Sequence, residues 1–122
     1  MSNNLPKPAP VATEIIAKFQ GKTYKQMQCF QLCMAMAKAC GVCPTTYREV
    51  VDPTFGAIYP LDLLIIKGDG GEDDAFAHCA FVINDREMIH ASKLTQSVVV
   101  HPIRAFAGRI TGILRPTGEL GR

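Results

Sequence analysis

The chain has 122 residues, enough for one domain with a single hydrophobic core. Apolar residues make up 48% and charged residues 20%, the balance of a globular protein rather than a disordered one. Its 13 basic and 11 acidic side chains leave a net charge of +2, scattered along the sequence, which gives no sign of a nucleic-acid or membrane surface.

Residues 1–10, Met-Ser-Asn-Asn-Leu-Pro-Lys-Pro-Ala-Pro, are polar and proline-rich and read as an N-terminal arm, followed by one domain over residues 11–122. The arm has no apolar h-region, so no secretory signal is expected, and the chain is expected to stay in the cytosol unless a carrier takes it out. Val11, Ile15, Ile16 and Phe19 recur at helical spacing and predict a short amphipathic helix ending by Gly21. Thr23-Tyr24-Lys25-Gln26 has the form of a capping box. A second helix is expected to follow through about Cys40, stopped by Gly41 and Pro44. Between Phe30 and Ala39 only Gln31 and Lys38 are polar, which predicts a central helix buried nearly all round.

Residues 44–60 carry turn signals at Pro44, Pro53, Gly56 and Pro60. Beyond them the pattern changes to strands. Leu63–Lys67 is the first, and an acidic glycine loop, Gly68–Asp74, follows it. His78–Asn84 and Met88–Ser92 read as strands paired around Asn84-Asp85-Arg86-Glu87, with Ser97–His101 and Arg109–Arg115 completing the set. A buried helix followed by an antiparallel sheet is an α+β pattern. The longest apolar run, Leu61–Ile66 with Asp62 inside it, is far too short to span a membrane.

Five cysteines, Cys29, Cys33, Cys40, Cys43 and Cys79, are an odd number, and without an export signal they are expected as thiols rather than as a disulfide framework. A cysteine hydrolase needs an activated thiol, a base within hydrogen-bond reach (about 3–4 Å in an unliganded site) and a group that orients the base. Cys29 lies near the start of the predicted central helix, where the dipole favours a thiolate. If the helix begins at the Thr23 box, however, Cys29 falls in its second turn and the effect has faded. Taken alone, a buried structural cysteine is the commoner role.

The candidates for base and orienter are three histidines. Alternation along the strand sets His78, Ala80 and Val82 on one face and Cys79, Phe81 and Ile83 on the other. A three-residue loop, Asn84–Arg86, pairs Ala80 with His90 and makes His78 and His90 diagonal neighbours, roughly 7–8 Å apart at Cα, so an odd-length loop or a bulge is expected. His90 could then accept the Nδ1 proton of His78 and fix its tautomer. His101, before Pro102 at a strand end, reads as a surface residue.

Cys40-Gly-Val-Cys43 invites a redox or zinc reading. It sits at a helix C-terminus, where the dipole disfavours thiolate, and it has no second Cys-x-x-Cys, so packing is the expected role. Asp69, Glu72, Asp73 and Asp74 lack an EF-hand pattern and read as a solvated loop.

Along most of residues 11–116 the chain resembles the NlpC/P60 family of papain-like cysteine peptidases. Cys29 opens a helix that closes in Gly41-Val42-Cys43-Pro44-Thr45-Thr46, where the family has Gly-Val or Gly-Ile and then Leu-Pro-x-Thr. Pro60-Leu61-Asp62-Leu63 is similar to the family's Pro-Gly-Asp-Leu. His78-Cys79-Ala80-Phe81-Val82 matches its His-Val-Gly-Ile-Tyr, and Met88-Ile89-His90-Ala91-Ser92 its third-residue motif. At the nucleophile, Gln28-Cys29-Phe30-Gln31 departs from the usual Asp-Cys-Ser-Gly.

The resemblance implies a papain-like α+β fold, with the N-terminal helix packed on an antiparallel sheet. It implies catalysis by Cys29, His78 and His90, with the Cys29 N–H as one oxyanion donor, and with no cofactor and no metal. Tyr24, similar to the family's substrate-side tyrosine, and Phe30, beside the nucleophile, are the substrate-side residues. The expected substrate is a peptidoglycan stem peptide, cut near a D-glutamyl–diamino-acid bond. A phage tail or a secretion system would carry the chain to it. The alternative is a tail building block that keeps the fold with a blunted site.

Overall fold

The computed structural model describes residues 8–50, 58–67 and 77–117. Helix α1 spans Thr13–Phe19 and α2 spans Cys29–Ala39. The strands are β1 (Tyr47–Glu49), β2 (Leu63–Lys67), β3 (Ala77–Val82), β4 (Glu87–Ser92), β5 (Ser97–Pro102) and β6 (Ile110–Pro116). They form one antiparallel sheet in the order β1-β6-β2-β3-β4-β5. The expected α+β architecture is therefore present, and all five predicted strands fall within two residues of their expected bounds. Pro53, Gly56 and the Gly68–Asp74 loop lie outside the described residues.

Two elements differ from the sequence reading. The Thr23 box does close: the Thr23 N–H donates to Gln26 Oε1 at 2.9 Å, and the Gln26 N–H donates to Thr23 Oγ1 at 3.2 Å. It makes only a local turn, because Thr23 is also bridged to Ser97 and the Tyr24 N–H donates to the Gln96 carbonyl. The helix starts later, with Gln28 as N-cap in extended geometry (φ −86°, ψ 169°) and its N–H donating to Gln31 Oε1 at 3.2 Å.

Nor is α2 buried all round. Leu32, Cys33, Met36 and Ala37 are buried, whereas Phe30 is 62% exposed and Ala39 is exposed too. The helix ends as Gly41 requires. Gly41 adopts φ +81°, its N–H donates to the Lys38 carbonyl at 3.0 Å, and the Val42 N–H reaches back to Ala37 at 2.8 Å. This paired closure satisfies two orphan carbonyls and buries Val42 against the helix.

The sheet is covered on both faces. On the first, Leu63, Cys79, Phe81, Ile89, Ala91 and Val98 pack against the inner side of α2. On the second, Leu64, Ile66, Ala80, Val82, Met88 and Ile113 pack under Ile103 and Phe106 of a 3₁₀ segment, Ile103–Arg109, that lies between β5 and β6. Each fully buried Leu, Ile, Val or Met contributes roughly 1.5–3 kcal/mol over an exposed position.

The turn into β2 carries a buried charge. Asp62, with no solvent exposure, accepts from Arg115 Nε at 3.0 Å, from Arg115 Nη2 at 2.9 Å and from the Tyr59 N–H at 2.8 Å. The Arg115 guanidinium lies 4.1 Å from the centre of the Tyr59 ring. Burial pushes the Asp62 carboxyl up, against the opposing pull of Arg115 and of the Tyr59 N–H, while the same pairing raises Arg115. Just before it, Leu61 sits at φ +79°. The position is left-handed although it carries a leucine, buried to 7% exposure, rather than a glycine.

Candidate active site

Cys29 is the first residue of α2, so the question of the helix start is settled in favour of the short-range dipole effect. Its side chain is half-buried and packs at the margin of the first core. Two connections locate it. The Thr23–Ser97 bridge pins the segment before α2 to the start of β5, which pairs Ser97 with Ser92 at the end of β4. One turn into the helix, about 6 Å along its axis, Cys33 Sγ lies 3.1 Å from Cys79 Sγ, and Cys79 is adjacent to His78. The N-terminal turn of α2 therefore overhangs the end of the sheet where β3 begins, β4 ends and β5 begins.

His78 stands at that same end but on the second face. It pairs with Ile66 across β2 and shares its face with Ala80 and Val82. The β3–β4 register is the one an Asn84–Arg86 loop requires. Phe81 opposes Ile89 and Val82 opposes Met88, a register that, continued by one residue, sets Ala80 beside His90. His78 Nε2 lies 2.7 Å from His90 Nδ1. The expected neighbour is thus in place, but it engages Nε2 of His78, not Nδ1.

The reading of His101 as a surface residue is corrected. It is half-buried, and its Nδ1 lies 2.9 Å from His90 Nε2. The physical reason is register: His90 opposes Val99 and Met88 opposes His101, so His101 is the next diagonal step on the same face. The four-residue turn Lys93–Gln96 between Ser92 and Ser97 was the available signal. Phe106 closes the row, its ring centroid 5.3 Å from His90 and 6.1 Å from His101. His90 itself has no solvent exposure and fills both ring nitrogens with its two histidine neighbours. The three rings run in line across β3, β4 and β5. Among the described residues, no group of three or more His, Cys, Asp or Glu side chains converges on a point that could hold a metal ion.

The remaining cysteines are thiols; Cys33, Cys40 and Cys79 pack in or against the first core, whereas Cys43 stands outside both cores, so the expected packing role holds for Cys40 and not for Cys43. Burial pushes Cys33 well up, its hydrogen bond to Cys79 adding to the effect, and burial pushes Cys40 up to about 11. Cys43 lies 3.0 Å from the Thr45 hydroxyl, which lowers its thiol. Cys79 points away from His78, as alternation requires. Tyr24 is half-buried against the first core and Phe30 projects to solvent beside Cys29. Asp69, Glu72, Asp73 and Asp74 lie outside the described residues. Among the described residues, no helix is long and apolar enough to cross a membrane.

No protein-family model and no curated protein matches the sequence. Solved structures do match the fold. NlpC2 from Trichomonas vaginalis superposes with a TM-score of 0.64 at 16% identity, over 94% of this chain and 49% of its own. An NlpC/P60 family protein from Bacillus cereus ATCC 10987 gives a TM-score of 0.60 at 22% identity, over 94% of this chain and 42% of its own. The fold is that of NlpC/P60 proteins, and the chain spans about half the length of these two structures or less.

Proposed function

We propose that the chain is a cysteine peptidase or amidase in which Cys29 is the nucleophile, His78 its base and His90 the orienter of His78. The observation that carries this reading is the placement of Cys29 at the first position of α2, over the sheet end that holds a hydrogen-bonded His78–His90 pair, in a fold shared with NlpC/P60 proteins. With Nε2 directed at His90, Nδ1 is the His78 nitrogen assigned to the thiol. It would take the Cys29 proton across the end of the sheet, and the helix N-terminus favours the anion left behind.

The sulfur then adds to an amide carbonyl, and the oxyanion is met by the Cys29 N–H at the positive end of the helix dipole. Collapse breaks the C–N bond, with the proton on His78 passing to the leaving amine. Water, deprotonated in turn by His78, releases the acid from the thioester. By the resemblance, the amide belongs to a peptidoglycan stem peptide, with Tyr24 and Phe30 on the substrate side, and a phage tail or secretion system is the carrier.

The test is cleavage of purified cell wall by wild type and by Cys29→Ala. Wild-type release of stem-peptide fragments that is lost in Cys29→Ala is expected, and equal, negligible release from both would remove the enzyme reading. One observation favours a structural role instead. Phe30, 62% exposed, stands where the family has a serine, and Gln31, where it has glycine, is engaged in capping the helix. Equal, negligible release together with stable incorporation into a virion tail would establish that second reading.

A further inference from the structure

We infer that His101 is a positioning residue that sets the tautomer of His78 at two removes, through His90. This rests on the hydrolase reading above and extends it by one ring. The reasoning is a count of protons along the row. A neutral imidazole carries one N–H, so each ring donates through one nitrogen and accepts through the other. The two contacts, His78 Nε2 to His90 Nδ1 at 2.7 Å and His90 Nε2 to His101 Nδ1 at 2.9 Å, therefore admit two consistent patterns for three neutral rings. Either every ring carries its proton on Nε2 and donates toward His101, or every ring carries it on Nδ1 and the donation runs toward His78. Only the first leaves Nδ1 of His78 as an acceptor for the Cys29 proton.

His90 cannot choose between the two patterns. Its ring is fully buried and both its nitrogens are occupied by histidines, so it transmits whatever its neighbours impose. His101 stands at the partly exposed end of the row, where it can hold the Nε2–H form that a neutral histidine side chain favours in water. Its Nδ1 then remains a pure acceptor, and that acceptor draws the Nε2–H of His90. His90 Nδ1 is left to accept from His78. Phe106, its ring inclined 24° to that of His101 and 77° to that of His90, holds both rings in this orientation.

The experiment uses the full chain. Imidazole ¹⁵N spectra of the wild type are expected to report all three rings in the Nε2–H tautomer; a His90 protonated on Nδ1 would overturn the inference whatever the variants do. Iodoacetamide labelling of Cys29, followed by peptide mass spectrometry, then compares variants. His101→Phe keeps the ring shape but has no acceptor, and His101→Asn restores an acceptor oxygen at the position of Nδ1. His101→Phe is expected to slow Cys29 labelling about fivefold, the factor one net neutral hydrogen bond is worth, and His101→Asn to recover most of it at an unchanged melting temperature. Unchanged labelling in His101→Phe, or no recovery in His101→Asn, refutes the positioning role. His78→Ala separates the two levels: if it leaves Cys29 labelling unchanged, the hydrolase reading falls, whereas slow labelling in His78→Ala with normal labelling in His101→Phe removes only the role of His101.

Discussion

Replacing Arg115 with leucine takes the cation from a carboxylate that has no contact with water. Two charge-assisted hydrogen bonds, at 3.0 and 2.9 Å, are lost, and the Tyr59 N–H at 2.8 Å is left as the remaining described donor to the Asp62 carboxylate. Breaking a buried pair from one side costs about 3–5 kcal/mol. The arginine side chain keeps 27% of its exposure, so the lower figure, about 3 kcal/mol, is the expected one. For 122 residues the unfolding entropy is roughly 0.26 kcal/mol per degree, which converts the loss to a fall of about 12 °C in Tm. The double variant Asp62→Leu/Arg115→Leu removes the stranded charge and should return to within about 1 kcal/mol of wild type.

The sign with pH follows from the direction of the Asp62 shift. Burial raises its folded carboxyl above the unfolded value, so its favourable contribution is present at low pH and lost as pH rises through the folded pKa. Without Arg115 the carboxyl rises further, and the deficit of Arg115→Leu should be larger in mildly alkaline than in mildly acidic buffer. Thermal and urea unfolding measure all of this, and Cys29 labelling in the native state checks that the site is untouched. An Arg115→Leu protein melting within about 2 °C of wild type, or a double variant as unstable as the single, would refute the reasoning.

The other expectations concern local chemistry. Gly41→Ala places a side chain at φ +81° in the closure of α2 and should cost about 1 kcal/mol, or about 4 °C in Tm, with Gly41→Asn intermediate. In native-state labelling, Cys43, lowered by the Thr45 hydroxyl, should react faster than Cys40, whose thiol burial holds near 11; Thr45→Val should slow Cys43 and leave Cys40 unchanged. Loss of cell-wall cleavage in Cys29→Ala and the fivefold effect of His101→Phe, stated above, complete the set.

What could be read directly was local or periodic. Alternation placed His78 and Cys79 on opposite faces of β3, and loop length set the β3–β4 register, because each depends only on the two-residue repeat of a strand. Gly41 and Val42 marked the end of α2 for the same kind of reason: a left-handed residue closes the last turn wherever it stands.

The rest required the folded chain. The capping pattern at Thr23 lay before α2, but the bridge from Thr23 to Ser97, 74 positions on, confined it to a turn, and α2 starts from Gln28 with Cys29 at the first helical position. Strand β1 spans three residues and exists through its pairing with β6, which no local signal at Tyr47–Glu49 announces. The buried Asp62–Arg115 pair likewise joins residues 53 positions apart in sequence. Local sequence specifies dihedral angles and faces. Which distant face or charge meets them is set by the single packing that buries both sides of the sheet at once.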